Sequence, residues 1–259
     1  MARFWFQSTL GMDKAPEYNA ALARHCAAIL DPGDQTDLIG VPPRTCSAIR
    51  SRSMRCSPGR SSATRSGRSK GYDAYIIGTY VEPFLREARC AVSIPVLSIF
   101  EATLLMACTL RHTVGIVTLN RDLAWIHKLN LEKHRLGARV GPILPIDPEL
   151  PERALAKLLD EPGDHLESFR ATARRAVELG ADGIIPAEGL IAILAARHAV
   201  LEVDGAAVLD GIAVPVCFAQ MAARLWTRAG LRTGRRAHYA SASGEALAFV
   251  RAMVEPAAS

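Results

Sequence analysis

A short motif occurs twice in this chain, at residues 71–83 and at residues 180–189. Each copy begins with Gly-x-Asp, contains two consecutive isoleucines and places a polar residue six positions after the aspartate. That residue is Thr79 in the first copy and Glu188 in the second. Each copy predicts a buried strand that ends in a turn, and parallel sheets bind their ligands at the carboxyl ends of strands. The repeat therefore predicts two similar halves, with Thr79 and Glu188 at corresponding strand ends.

An apolar helical run follows each copy and leads to a proline-bearing segment that is typical of another buried strand. These segments are residues 94–97 and 214–217, and Cys217 is expected to lie in the core of the second. Strand, helix and strand in this order form a parallel crossover unit. The pattern predicts four strands before residue 100 and four after it. We therefore expect an α/β fold of two pseudo-symmetric lobes, each with a roughly four-stranded parallel sheet flanked by helices.

The lobe boundaries follow from the same order of elements. The first lobe is expected to comprise residues 1–97 and 218–259, and the second to comprise residues 98–217. A basic stretch at residues 42–70 interrupts the first lobe, with eight Arg or Lys residues and no Asp or Glu. Its composition is typical of a disordered or extended loop, with a phosphate- or nucleic-acid-binding arm and an error in the reading frame as alternatives. Because the basic charge is confined to this stretch, no nucleic-acid partner is predicted.

Composition limits the class of protein. The chain has 259 residues, of which 49% are hydrophobic, enough for a substantial core. No uncharged apolar run reaches the roughly 20 residues of a membrane span, and the first residues do not resemble a secretory signal. Six cysteines and seven histidines are scattered without the spacing of metal ligands. The sequence predicts a cytoplasmic protein with no membrane partner and no metal site.

The motifs resemble those of the aspartate/glutamate/hydantoin racemase superfamily, which also includes maleate isomerases and arylmalonate decarboxylases. The resemblance rests on residues 73–89, 94–96, 115–118, 180–190 and 214–216. It implies an active site in the cleft between the two lobes. It also implies a cofactor-independent isomerase acting next to a carbonyl of a small carboxylate, amino-acid derivative or cyclic amide. A homo-oligomer is implied as well.

The chain departs from the family at the two catalytic positions. Family members place one cysteine at the end of each motif strand, where two thiols face opposite sides of the substrate's α-carbon. This chain has Thr79 and Glu188 there. A threonine hydroxyl is a poor base, so symmetric two-thiol racemisation is not expected. We hypothesise one-sided chemistry instead: Glu188, desolvated in a closed cleft so that its pKa rises, is a general acid or base, while Thr79 donates a hydrogen bond to an enolate or carboxylate.

Both positions also have a purely structural interpretation. Glu188 precedes a helix, whose positive N-terminal end favours a carboxylate. Thr79 precedes Pro83 and is of a type that caps helices. A cap role for Thr79 is compatible with hydrogen bonding to a substrate.

Other polar groups follow strands that face the same cleft. In the family, hydroxyls and amides at such places hold a substrate carboxylate, and helix N-terminal amides suit that task. The substrate-binding candidates are Gln7, Ser8, Tyr80, Thr118, Asn120 and the backbone amide of Gly189.

Two further functions remain open on the sequence alone. A lyase, decarboxylase or hydrolase would use Glu188 to activate water. A non-catalytic ligand-binding protein would retain the cleft and lack the chemistry, which would fit the loss of both cysteines.

Overall fold

A computed structural model describes residues 1–8, 11–13, 15–40, 71–150, 164–241 and 243–245. The basic stretch at residues 42–70 and the end of the expected first lobe, residues 246–259, lie outside the described residues. Within the described part, no helix is both long enough and apolar enough to cross a membrane.

The first sheet has four parallel strands in the order β2-β1-β3-β4. These strands are β1 (Arg3–Ser8), β2 (Gln35–Ile39), β3 (Ala74–Gly78) and β4 (Val96–Ser98). The central strand β3 is buried at every position, as a strand covered on both faces requires. The first motif copy therefore forms a core strand, and the predicted four-stranded parallel sheet is confirmed.

The second sheet has five strands in the order β6-β5-β7-β9-β8. They are β5 (Val114–Thr118), β6 (Val140–Pro145), β7 (Gly183–Pro186), β8 (Glu202–Val203) and β9 (Ala206–Val208). All pairs are parallel except β8 with β9, which form a short antiparallel edge. The α/β class is confirmed, and the second sheet has one strand more than expected.

Seven helices flank the two sheets in the described part of the chain. They are α1 (Pro16–Ile29), α2 (Leu85–Ala91), α3 (Ile99–Leu110), α4 (Arg121–His134), α5 (His165–Glu178), α6 (Gly189–Arg197) and α7 (Ala213–Ala229). Polar N-cap residues mark where several of these helices begin. The Ser98 hydroxyl accepts from the first amides of α3, and the Asn120 side chain accepts from the Leu123 amide in α4.

The prediction of a strand at residues 214–217 is wrong, because these residues lie in the first turns of α7. The Asp210 carboxylate accepts hydrogen bonds from the amides of Ile212 and Ala213 at 2.9 and 2.8 Å, which stabilises the start of a helix. Pro215 lies in the first turn, where a missing N–H is tolerated. Strand β9 takes the expected place beside β7. Cys217 is consequently exposed on a helix and not buried in a strand.

One hydrophobic core joins the two sheets. It contains Phe4 and Ile76 from the first sheet together with Ile116 and Ile184 from the second, all fully buried. Helices α3 and α7 both pack against β3 and β4. A smaller cluster around Trp5 covers the other face of the first sheet. The lobe boundaries at 97/98 and 217/218 stay predictions.

Candidate functional site

Thr79 lies directly after β3, in a tight turn at the carboxyl end of the first sheet. Its hydroxyl oxygen accepts a hydrogen bond from the Val81 amide at 3.3 Å, and its carbonyl accepts from the Glu82 amide at 3.3 Å. The following helix α2 has Phe84 at its N-cap, without a side-chain capping bond. Thr79 therefore stabilises its own turn and does not cap α2.

Glu188 is the N-cap of α6. Its Oε2 atom accepts hydrogen bonds from the amides of Leu190 and Ile191, at 2.5 and 3.2 Å. The structural role considered from the sequence is therefore present. Both of these bonds use the same carboxylate oxygen. Gly189, the first residue of the helix, is buried.

Two buried tyrosines from the first half of the chain lie against glycines from the second half. The Tyr18 hydroxyl, on α1, would be 2.6 Å from a Cβ atom at Gly189, and the Tyr80 hydroxyl would overlap a Cβ atom at Gly211. These contacts bring both phenols to the start of α6 and to the connection that leads into α7.

Burial and nearby carboxylates both raise the pKa of the two phenols. Burial raises the pKa of Tyr18 well above its usual value, and the Glu188 carboxylate raises it further. Burial also raises the pKa of Tyr80, and the Asp210 carboxylate raises it further; the Thr103 side chain opposes this, and Glu188 adds a smaller upward effect. Both phenols are therefore neutral at physiological pH. They are hydrogen-bond donors beside a carboxylate.

A histidine–carboxylate pair lies at the same end of the molecule. The His25 Nε2 atom, on α1, is 2.7 Å from Oδ2 of Asp210, whose other oxygen caps α7. The hydrogen bond to Asp210 raises the pKa of His25, an effect that outweighs partial burial. Burial raises the pKa of Asp210, but His25 and the capping amides outweigh it and leave that pKa below its usual value. The sequence analysis missed this pair, because its members are 185 positions apart and carry no shared motif.

The remaining candidates divide into two groups. Ser8 is buried at the end of β1 and pairs in register with Gly78, next to Thr79. Gln7 uses its side chain within the sheet, donating to the Ile39 carbonyl at 2.9 Å and accepting from the Trp5 indole at 3.2 Å.

Two other candidates are engaged in the second half of the molecule. Thr118 is fully buried, with its hydroxyl 3.2 Å from Nε2 of His127. Asn120 caps α4 with its oxygen and donates to the Leu150 carbonyl at 3.2 Å. The structure thus places Thr79 and Tyr80 directly after β3, and Glu188 and Gly189 at the start of α6 after β7. The substrate contacts assigned to all the candidates stay predictions.

The arrangement is suited to proton transfer. It offers a helix-capping carboxylate as a proton acceptor and several neutral hydroxyls as donors to a developing negative charge. Within the described residues, no group of three His, Cys, Asp or Glu side chains is arranged to hold a metal ion.

Comparison with known sequences gives two matches. The family model described as Asp/Glu/Hydantoin racemase matches residues 16–219, which include both motif copies. A hydantoin racemase from Rhizobium meliloti is 29% identical over 170 residues, corresponding to 63% of this chain and 65% of that protein. The alignment thus spans slightly less than two thirds of the curated relative.

Two allantoin racemases have similar solved structures. That from Klebsiella pneumoniae has a TM-score of 0.74 and 22% identity, with coverage of 93% of this chain and 94% of the other. That from Pseudomonas fluorescens has a TM-score of 0.69 and 20% identity, with coverage of 93% and 97%. These similarities concern the fold. Because the family model covers most of the chain and the fold agrees with it, the chain belongs to the Asp/Glu/hydantoin racemase family.

Proposed function

We propose that this protein is a racemase acting on an uncharged, hydantoin-type cyclic amide, with Glu188 as the acid/base residue and Thr79 as a hydrogen-bond donor. The observation that carries the proposal is the placement of these two residues. Each follows an inner strand that is buried at every position: Thr79 comes directly after β3, and Glu188 is the N-cap of α6, the helix that follows β7. Family membership supports racemase chemistry, and the names of the relatives support a hydantoin-type ring.

The charges around the two phenols favour an uncharged substrate. Among the described residues, the carboxylates that act on Tyr18 and Tyr80 are Glu188 and Asp210, and Asp210 is already paired with His25. An acidic amino acid would bring further negative charge next to Glu188, and juxtaposed like charges are unfavourable. A hydantoin ring brings no carboxylate and offers carbonyl acceptors to neutral hydroxyl donors. The electrostatics thus support a cyclic amide over a dicarboxylate.

In the proposed reaction, the Glu188 carboxylate removes the proton from the ring carbon next to a carbonyl. Negative charge then develops on that carbonyl oxygen, where the Thr79 hydroxyl donates a hydrogen bond. The resulting enolate is planar at the reacting carbon. A proton from solvent is delivered to the opposite face, which inverts the centre, and the protonated Glu188 releases the proton that it removed to solvent. Exchange with solvent therefore accompanies inversion.

Proton NMR in deuterated water tests this proposal. The protein is incubated with a 5-substituted hydantoin, allantoin, aspartate and glutamate, beside samples without protein that measure spontaneous exchange. We expect the α-proton signal of a hydantoin-type compound to disappear and the signals of the two acidic amino acids to persist. Glu188→Gln retains an oxygen that can cap α6 but removes the base, so exchange is expected to slow by about 100-fold or more. The matched control is Glu178→Gln, an exposed site at the end of α5, which is expected to exchange at the wild-type rate.

Several outcomes would contradict the proposal. Equal exchange by Glu188→Gln and wild type would remove Glu188 from the mechanism. New product signals without exchange would indicate a lyase, decarboxylase or hydrolase, and binding without exchange or product would indicate a non-catalytic protein. Because the proposed steps use only side chains, exchange is expected to survive dialysis against EDTA. The cytoplasmic location and the homo-oligomeric state stay predictions.

A further inference from the structure

One face of α4 extends from the core of the second half to the turn that carries Thr79. His127, Asn130 and His134 are spaced three and four residues apart, so they share this face. The His127 ring packs edge-on to the Tyr80 ring, with centroids 6.3 Å apart. Its Nε2 atom is 3.2 Å from the Thr118 hydroxyl at the end of β5. Helix α4 therefore contacts strand ends of both sheets.

Asn130 holds the backbone of the turn directly after Thr79. Its buried side-chain amide donates to the carbonyl of Tyr80 at 3.1 Å and to that of Val81 at 3.3 Å. The Val81 amide in turn donates to the Thr79 hydroxyl. A side chain from the second half of the chain thus fixes two consecutive peptide groups next to a candidate catalytic residue of the first half.

Glu82 anchors the same turn through a fully buried carboxylate. Its Oε2 atom accepts from Nε2 of His134 at 2.6 Å and from Nζ of Lys133 at 2.7 Å. Its Oε1 atom accepts from the Glu101 amide at 3.2 Å and from the Ser98 hydroxyl. A buried carboxylate that is held by several donors rigidifies its surroundings, and leaving those donors without it is costly.

The charge and backbone of Glu82 show that this anchor is tightly held. Burial raises its pKa, but the hydrogen bonds and charges of His134 and Lys133 outweigh burial and leave the pKa below its usual value. The residue has a φ angle of 53°, and Phe84 has one of 59°. Non-glycine residues persist in this left-handed region only where surrounding contacts hold them. The turn is therefore kept in place by the contacts of its side chains.

We propose that Glu82 and Asn130 are positioning residues for the reaction, acting through α4 to hold the Thr79 turn in fixed register with the second half of the molecule. This inference rests on the proposed function for its effect on turnover. Glu82 reaches Thr79 through its own amide, which donates to the Thr79 carbonyl at 3.3 Å. Asn130 reaches it through Tyr80 and Val81. A loosened turn would misplace the Thr79 hydroxyl relative to the enolate oxygen, which lowers the rate more than it weakens substrate binding.

The test uses two variants and one control in the full chain. Glu82→Gln preserves shape and removes the charge, and Asn130→Asp removes the donor to the Tyr80 and Val81 carbonyls. Glu132→Gln makes the same chemical change as Glu82→Gln at an exposed position of α4. We measure kcat and KM for the hydantoin substrate, and hydrogen exchange at the amides of residues 80–82. Each test variant is expected to lose about tenfold or more in kcat, with KM within about threefold of wild type, and to exchange faster at these amides. The control is expected to match wild type in both measurements.

Two results would overturn the inference. One is unchanged protection of residues 80–82 in both variants. The other is faster exchange at these amides with unchanged kcat, which would show that Glu82 and Asn130 stabilise the turn without affecting the reaction. If Glu82→Gln does not fold, Asn130→Asp carries the test. A wild-type protein that turns over none of the compounds would remove the proposed function. Hydrogen exchange alone would then show whether Glu82 and Asn130 hold the Thr79 turn.

Discussion

At Gly211 the main chain and a tyrosine side chain occupy adjoining space with no room for another carbon. A Cβ atom at this position would overlap the Tyr80 hydroxyl and lie 2.9 Å from the ring carbon that bears it. The phenol is buried and packs edge-on to Phe100 as well, so it cannot move aside freely. Tyr80 can therefore occupy its position only because residue 211 has no side chain.

Gly211→Ala is therefore expected to lower the free energy of unfolding by about 1–3 kcal/mol, through overpacking against Tyr80. Urea denaturation at neutral pH measures the change. Gly234→Ala is the control, since nothing lies within 4 Å of a Cβ atom there. Equal stability of Gly211→Ala and wild type would show that Tyr80 moves without cost.

At the level of elements, Asp210 connects α1 to the start of α7. One of its oxygens accepts from the amides of Ile212 and Ala213, and the other pairs with His25 at 2.7 Å. The pairing raises the pKa of His25 above its ordinary value of 6.5 in the folded state. A group with a raised folded pKa contributes stability that is complete below its unfolded pKa and is lost as the pH rises through its folded pKa.

The stability difference between wild type and His25→Gln is accordingly expected to be largest between about pH 5 and 6.5 and to shrink as the pH rises further. The difference falls again only at lower pH, as the pH drops through the folded-state pKa of Asp210, which lies below the usual carboxyl value. Denaturation curves at successive pH values from 4 to 9 measure it. A stability difference that does not vary with pH would show that the positive charge of His25 does not contribute to its contact with Asp210. His198→Gln, at an exposed histidine after α6, controls for the loss of an imidazole.

The elements that the sequence predicted well are those specified by local signals. Strand β3 is one of them: the first motif copy predicts a buried strand ending in a turn, and the structure has β3 at Ala74–Gly78 followed by the Thr79 turn. The start of α7 was mistaken for a strand because Val-Pro-Val is β-like in composition, whereas the Asp210 carboxylate favours the helix. Strands β8 and β9 have two and three residues, too few to show a periodic pattern.

The candidate site was predictable only in part for a similar reason. The spacing within the repeat placed Thr79 and Glu188 after corresponding strands, since strand length and turn are local properties. The contact of Asn130 with the Tyr80 carbonyl joins residues 50 positions apart, and Glu82 meets His134 across 52 positions. Such contacts depend on how the two sheets are brought together, which no local pattern records.

At the scale of the whole molecule, the two sheets share one core. Phe6 in β1 and Ile185 in β7 are both fully buried and belong to the same hydrophobic cluster. Each half alone would leave part of this cluster exposed to water, which is unfavourable in proportion to the apolar area. The halves are therefore expected to depend on each other for stability.

Thermal unfolding is expected to be a single cooperative transition despite the two sheets, with a calorimetric enthalpy equal to the van't Hoff enthalpy. Scanning calorimetry measures both quantities. In a Trp125→Phe, Trp226→Phe variant, Trp5, which is buried in the first sheet, is the remaining tryptophan. Its fluorescence is expected to change at the same midpoint as the circular dichroism of the whole chain. Two separate midpoints would show that the halves unfold independently.

The contacts of Tyr18 with Gly189 and of Tyr80 with Gly211 also limit how the molecule can move. Each phenol oxygen already lies against a residue that has no side chain to yield. A rigid shift that pressed either pair closer together would force tyrosine oxygen into main-chain atoms, so the two pairs act as mechanical stops. A closing motion that pressed Tyr18 towards Gly189 or Tyr80 towards Gly211 would therefore be opposed at these two points.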